Sequence, residues 1–106
     1  MKVKNINGEQ VINCGCDSWL THWENNSGSL VHGLCSAKDC EKEAEVGGHV
    51  EIIEAENDWE ALKSSKPSNI FIIPICRGCN AKYGQAYEVK PRTIPVSTEK
   101  TDQCGQ

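Results

Sequence analysis

The spacing of the cysteines is the feature that most constrains how this chain can fold. Seven of the 106 residues are cysteine, and four of them form two close pairs, Cys35-x4-Cys40 and Cys76-x2-Cys79. Structural zinc prefers four thiolates at the corners of a tetrahedron, and two tight loops that each present two sulfurs supply all four. The spacing therefore predicts a structural zinc site made by these two pairs.

Disulfide bonds are the alternative use of so many cysteines, but they require an oxidising compartment. The opening residues, Met1 to Asn7, lead into no apolar run of the kind that a secretory signal needs. An odd number of cysteines would also leave one thiol without a partner. We therefore expect a protein of the reducing cytoplasm. No stretch of the sequence has the length and apolarity of a membrane span.

The remaining cysteines, Cys14, Cys16 and Cys104, predict a second zinc site. A C-x-C pair is poor core filling, and Cys104 lies in a polar tail that would fray unless something held it. Free thiols with a loose tail are the alternative. A second tetrahedral site needs one more ligand. His22 is our choice, because it falls on a predicted short helix just after the C-x-C pair, and His32 is the competing candidate.

The scarcity of large apolar residues explains why metal would matter to this fold. The whole chain has one Phe, one Met, two Tyr and three Trp. A domain of this size has a modest core and gains from cross-links. We expect one zinc-stabilised domain over residues 1–106, with its N-terminal segment and C-terminal tail joined at the second zinc site.

Local patterns predict short strands mixed with short helices. The predicted strands are residues 30–34, 46–54, 70–75, 87–89 and 93–96, and the predicted helices begin near residues 18 and 80. Asp17 or Ser18 is expected to cap the first helix, which then runs to residue 24 or 25, and the second is expected to continue to residue 86. Gly47 and Gly48 are expected to interrupt the second strand. Pro74 places part of the third strand at an edge or bulge.

From Cys35 to Gly84, about half of the chain, the sequence resembles the zinc-bearing branch of the HNH endonuclease family. The residues that carry the resemblance are a Cys pair, Gly48-His49-Val50, Asn69 before an apolar strand, and then Ile75, Cys76, Arg77, Gly78, Cys79, Asn80, Ala81, Lys82, Tyr83 and Gly84. Its most specific part is a strand followed by C-x2-C, Asn, any residue and Lys. The resemblance implies an α+β domain with a treble-clef, HNH-like core over residues of about 30–90.

The same resemblance implies the parts of a phosphodiesterase site. His49 would match the general base, Asn69 the residue that orients it, and Asn80 a ligand of a catalytic Mg²⁺ or Mn²⁺ ion. The chain departs from the family at Gly48, where the family has an Asp or His that binds the metal. A hard cation held by Asn80 alone would bind poorly. We therefore expect a non-catalytic or weakly catalytic module, with a metal-dependent endonuclease as the alternative.

The net charge and the positions of the charged residues indicate what kind of partner the protein binds. A net charge of −4 opposes a broad nucleic-acid footprint. The basic residues that we predict to contact nucleic acid are Arg77, Lys82, Lys90 and Arg92. The acidic run at residues 41–45 predicts instead a surface for a protein with a basic patch. We expect binding to nucleic acid or to a nucleic-acid-associated protein, and an acidic interaction or inhibitor module is the second alternative.

Overall fold

The computed structural model describes residues 1–6, 18–28, 33–55, 70–82 and 84–98. The strands are β1 (Lys2–Asn5), β2 (Val46–Glu54), β3 (Ile70–Ile75), β4 (Ala86–Glu88) and β5 (Val96–Ser97), and the helices are α1 (Trp19–Ser27) and α2 (Arg77–Asn80). The strands form one sheet in the order β4-β1-β2-β3-β5, in which each neighbouring pair is antiparallel. The predicted small α+β domain is confirmed at this level.

Helix α1 begins where the sequence supplies a cap. Ser18 has an extended backbone, and its hydroxyl oxygen accepts a hydrogen bond from the Thr21 backbone N–H at 3.1 Å. This contact satisfies one of the donors that a helix start leaves unpaired. The helix ends at Gly28, whose φ of 82° is easily reached only without a side chain. The prediction of Ser18 as a cap is confirmed, although α1 continues beyond the predicted end to Ser27.

Gly47 allows α1 to lie directly against β2. A Cβ atom on Gly47 would fall 2.6 Å from the carbonyl carbon of Trp19 and 2.7 Å from the backbone nitrogen of Leu20. The predicted interruption of this strand is wrong, because β2 is continuous and Gly47 pairs with Pro74 on β3. Glycine in a strand can mark a bulge or a site where another backbone approaches closely, and Gly47 is of the second kind, because α1 packs directly against it.

The sheet separates two apolar clusters. On the α1 side, Trp23, Ile72 and Val96 are buried and Trp19 packs beside them. The larger cluster contains Met1, Val3, Val50, Ile52, Phe71, Ile73, Ile75 and Val89, together with the side chains of Cys35 and Cys76. Because side chains alternate along a strand, Phe71 and Ile73 face away from Ile72 and from α1. The cysteine loops therefore lie on the side of the sheet opposite α1.

Strand β3 passes from the interior of the sheet to an edge. Phe71 and Ile72 pair with β5, but β5 does not continue as far as Pro74. The carbonyl oxygen of Pro74 instead accepts hydrogen bonds from Ser36, at 2.9 Å from its backbone nitrogen and 2.7 Å from its hydroxyl. The prediction that Pro74 lies at an edge is confirmed, since proline offers no N–H to a further strand.

The predicted helix over residues 80–86 is wrong. Helix α2 begins directly after Cys76 and ends at Asn80, and Ala86 already belongs to β4. The chain turns between them at Gly84, which has a φ of 79° and donates its N–H to the carbonyl of Asn5. The last two strands are shifted by a few residues from their predicted positions. Of the predicted strand at residues 30–34, only its end lies within the described residues, where Leu34 forms a bridge with Glu43.

Within the described ranges, no helix has the length and apolar character needed to cross a membrane.

Candidate metal centre

The two predicted cysteine pairs converge at one point, on the face of the sheet opposite α1. The Sγ atoms of Cys35, Cys40, Cys76 and Cys79 all lie within 4.8 Å of one another. Those of Cys40 and Cys76 are 3.8 Å apart. That separation matches the edge of a tetrahedron with Zn–S bonds of about 2.3 Å, and it is far longer than the roughly 2.0 Å of a disulfide. The four thiols are placed to hold a metal ion, and their geometry is consistent with zinc.

The first cysteine loop is closed by backbone hydrogen bonds. Cys35 donates its N–H to the carbonyl of Lys42 at 2.8 Å, and Cys40 donates to Ala37 at 3.1 Å. The bridge between Leu34 and Glu43 holds the ends of this loop together. Both sulfurs are thereby turned toward the same point, as a pair of metal ligands on one loop must be.

The second pair is positioned by the start of α2. Cys76 is the N-cap of this helix, and its sulfur accepts the N–H of Cys79 at 3.4 Å. Because α2 begins directly after β3, the sulfurs of Cys76 and Cys79 lie next to those of the first cysteine loop. The most apolar strand of the chain therefore anchors this pair, because Ile75, the residue before Cys76, is fully buried.

The thiols influence one another's protonation. Burial raises the pKa of Cys35, and burial together with Cys76 and Cys35 raises the pKa of Cys79 to about 12. Burial opposes the ionisation of Cys76 as well, but hydrogen bonds from the Cys79 N–H and from the neighbouring thiols lower its pKa to about 7. Four thiolates this close repel one another, so a cation at their centre is what allows all of them to ionise. This chemistry fits a divalent metal.

Asn5 is a residue of the site that sequence reasoning missed. Its side chain is 2% exposed, and its Nδ2 donates to the carbonyls of Cys79 at 2.7 Å and Lys82 at 3.1 Å. Its Oδ1 accepts the hydroxyl hydrogen of Tyr87 at 2.7 Å. A single Asn near the N-terminus carries no sequence signal, since asparagine is usually found on the surface. The pairing of β1 with both β2 and β4 is what places this amide beneath the second cysteine pair.

Lys90 holds the first cysteine loop by hydrogen bonds, as Asn5 holds the second cysteine pair. Its Nζ donates to the carbonyls of Cys35 at 2.6 Å and Cys40 at 2.5 Å, and its backbone N–H donates to Ser36 at 2.8 Å. The sequence predicts a nucleic-acid contact for Lys90. The structure directs its ammonium group into the cysteine loop.

The residues implied by the HNH resemblance lie on two sides of the sheet. A Cβ atom on Gly48 would fall 3.3 Å from Oδ1 of Asn80 and 2.2 Å from Cδ1 of Ile75. His49, the next residue on β2, faces the α1 side, where its ring centroid is 4.9 Å from that of Trp19. The structure therefore does not bring His49 and Asn80 together. Asn69 lies outside the described residues.

The environment of His49 keeps its imidazole neutral. The side chain is 5% exposed, and within the described part of the chain its Nε2 atom has no hydrogen-bond partner. Burial, and to a lesser extent the charge of His22, lowers the pKa of His49. A neutral ring is the form that a base or a ligand requires, but helix α1 covers it from solvent.

His22, the predicted fourth ligand of the second zinc site, is buried on α1. Its Nε2 lies 3.0 Å from the carbonyl oxygen of Ser97. A carbonyl only accepts, so Nε2 carries the hydrogen in this contact. Cys14, Cys16, Cys104 and the competing His32 lie outside the described residues, and the second zinc site stays a prediction.

A groove of about 770 Å³ opens beside the cysteine cluster. Its lining includes Cys40, Cys76 and Cys79, the basic residues Lys38, Lys42 and Lys82, and the acidic residues Asp39, Glu41 and Glu88. Of the other predicted nucleic-acid contacts, Arg77 is exposed and forms an ion pair with Glu45 at 3.6 Å. Arg92 is exposed in the turn after β4. Lys82 is thus the predicted basic residue that shares the groove with two further lysines.

Comparison of the chain with protein-family models, with curated proteins and with solved structures finds no match.

Proposed function

We propose that this protein is a zinc-stabilised binding module with a treble-clef, HNH-like core and little or no hydrolytic activity. The observation that carries the proposal is the convergence of four cysteine sulfurs within 4.8 Å. The order of elements supports it: a cysteine pair on a loop, the antiparallel hairpin of β2 and β3, and a second cysteine pair at the start of a helix. This is the order expected of a treble-clef core.

The surroundings of Gly48 support a binding role over catalysis. An Asp or His at this position, which the family uses to hold its catalytic metal, would begin with a Cβ atom 2.2 Å from the Ile75 side chain. Asn80, on the same side, would be left without that ligand. His49 faces away beneath Trp19. A hydrolytic metal and its base would therefore have to act from opposite sides of a sheet.

The groove beside the cysteines supports nucleic acid, or a nucleic-acid-associated protein, as the partner. Lys38 and Lys42 come from the first cysteine loop and Lys82 from the chain after α2, so cations line two walls. Phosphate contacts from lysines give binding that weakens steeply with salt. The acidic residues in the same groove would keep this affinity modest. Exposed Glu41 and Glu43 favour the second candidate, a protein partner with a basic patch.

The metal proposal is tested by native mass spectrometry of the full chain with and without a chelator. We expect one zinc ion held by the four described cysteines, and a second if the predicted site also forms. Cys79→Ser should remove the first ion only and Cys14→Ser the second only. Chelation should abolish cooperative thermal unfolding followed by circular dichroism. Metal-free, reduced protein that still melts cooperatively would overturn the proposal.

The partner is tested by binding and cleavage assays on the zinc-loaded protein. We expect short DNA or RNA strands to bind at low salt, and Lys82→Glu to weaken binding more than Lys4→Glu, an exposed change on β1 away from the groove. No plasmid cleavage is expected with Mg²⁺ or Mn²⁺. Cleavage that His49→Ala abolishes would establish the endonuclease instead. Absence of nucleic-acid binding together with binding of a lysine-rich peptide would favour the acidic interaction module.

A further inference from the structure

We infer that Lys90 is a built-in counter-cation of the metal centre, a positioning residue that raises the affinity of the cysteine site for zinc. The inference rests on the proposed zinc binding and extends it to a residue that does not itself bind the metal. It assigns Lys90 to the metal centre in place of the nucleic-acid surface where its sequence context puts it.

The ammonium group and the backbone N–H of Lys90 both donate hydrogen bonds to the first cysteine loop. Its ammonium nitrogen lies 2.6 Å from the carbonyl oxygen of Cys35 and 2.5 Å from that of Cys40, the two ligand residues of that loop. Its backbone N–H donates to Ser36, which lies between them in the sequence. One side chain thus connects both ends of the loop and fixes how far apart the two ligand residues can move. Preorganisation of this kind favours metal binding, because less ordering remains to be done when the ion arrives.

The charge of Lys90 has no carboxylate partner within the described residues. The hydrogen bonds of its side chain go to two neutral carbonyls, and the side chain is half-buried. A partly desolvated ammonium is unfavourable unless a negative charge lies close to it. Four thiolates around one Zn²⁺ carry a net charge of −2. Within the described residues the loaded metal centre would be the anion beside this ammonium, so zinc and Lys90 stabilise each other.

The lysines of the groove offer a matched comparison. Lys38 is on the same loop, between Cys35 and Cys40, but its side chain is exposed. Its charge is screened by water, and among the described residues its backbone N–H donates to the carbonyl of Glu88. Removing the charge of Lys38 therefore tests whether any nearby cation supports the site. Removing that of Lys90 tests the buried contact itself.

The experiment measures zinc affinity of the full chain by competition with a chelating indicator. Each variant is refolded in excess zinc before the titration, so that the fold forms before the metal is withdrawn. We expect Lys90→Met to weaken zinc binding about 10- to 100-fold, the usual effect of removing a group that supports metal ligands. Lys38→Met should leave the affinity unchanged. Lys90→Met with the affinity of the wild type would overturn the inference.

Two further variants separate charge from simple loop closure. Lys90→Arg keeps the charge and the donors and should retain most of the affinity. Lys90→Gln keeps a donor to one carbonyl and loses the charge, so it should resemble Lys90→Met. Wild-type affinity in Lys90→Gln would show that a hydrogen bond suffices and would overturn the counter-cation role.

The spectrum of Co²⁺ substituted for zinc separates this inference from the proposed function. A tetrahedral thiolate spectrum in the wild type and in every Lys90 variant would show that the site forms and that only its affinity has changed. Absence of that spectrum in the wild type would reject the metal centre itself. Its loss in Lys90→Met alone, with the fold retained by circular dichroism, would also support the role of Lys90, since the ligands would then be mispositioned without it.

Discussion

The amide of Asn5 and the hydroxyl of Tyr87 form a 2.7 Å hydrogen bond beneath the second cysteine pair. The same amide donates to the carbonyls of Cys79 and Lys82. Burial raises the pKa of Tyr87, and negative charge on nearby Cys35 and Cys79 raises it further. The neutral hydroxyl is therefore maintained as a donor, and β1 and β4 are joined to the second cysteine pair through side chains as well as through the sheet.

Replacing Asn5 should loosen the second cysteine pair. Asn5→Ala leaves two carbonyls and one hydroxyl without this buried partner, and we expect a loss of about 2–4 kcal/mol in the free energy of unfolding. Urea unfolding of the zinc-loaded protein measures it. Lys4→Ala is the matched control, because Lys4 is exposed on the same strand and should change stability little. Equal effects of the two changes would contradict the role assigned to Asn5.

The adjacent glycines of β2 should differ in their tolerance of a methyl group. At Gly48 an added Cβ meets the side chain of Ile75, which can move, and we expect Gly48→Ala to cost about 1–3 kcal/mol. At Gly47 it meets the backbone of α1 at 2.6 to 2.8 Å, and a backbone cannot rotate away. Gly47→Ala should therefore destabilise the protein more than Gly48→Ala, as measured by thermal melting. The reverse order would show that α1 does not rest on β2 as described.

His49 should make stability depend on pH. Its pKa in the folded protein lies below its ordinary value of 6.5, because burial first and His22 second disfavour the charged ring. The unfolded chain therefore binds a proton that the folded protein resists. Its contribution to stability is fully present above a pH of about 6.5 and is lost as the pH falls through the folded pKa.

The comparison of wild type with His49→Gln isolates this contribution. Both proteins contain the same four clustered cysteines, so any effect of low pH on these thiols is common to the two. Urea unfolding between neutral and mildly acidic pH should show a steeper loss of stability in the wild type than in His49→Gln. If the free energy of unfolding fell equally with pH in the two proteins, the imidazole of His49 would have to be accessible to water in the folded state.

Arg92 occupies a backbone conformation that favours glycine. It has a φ of 79° and follows Pro91 in a turn closed by a hydrogen bond from Thr93 N–H to the Lys90 carbonyl. A side chain in this region is strained, so Arg92→Gly should stabilise the protein by up to about 1 kcal/mol. Arg92→Ala keeps the Cβ atom and should give no such gain. Thermal melting of the two variants measures the difference. If Arg92→Ala stabilised the protein and Arg92→Gly did not, the strain would come from the long side chain and not from the backbone conformation.

The features that could be predicted from the sequence depend on residues close together in the chain. The hydroxyl of Ser18 reaches the N–H of Thr21, three residues on. The apolar run of Ile70 to Ile75 predicts a strand, and the cysteine spacing predicts two loops that each present two sulfurs. The error in the position of α2, predicted over residues 80–86 and found at Arg77–Asn80, has the opposite origin. Within residues 81–86 only Gly84 is a local signal for a turn. The side-chain amide that donates a hydrogen bond to the Lys82 carbonyl in this turn belongs to Asn5, which is far away in the sequence.

The sequence by itself determined that this is a small α+β domain with four paired cysteines suited to a metal, because ligand spacing, helix caps and apolar runs are local properties. Only the tertiary structure decided which groups support those cysteines and which face each candidate residue takes. Asn5 and Cys79 are 74 positions apart in the chain, and Lys90 and Cys35 are 55 apart. Contacts over such distances follow from the pairing of strands. The same pairing sets the alternation of β2 that turns His49 away from Asn80.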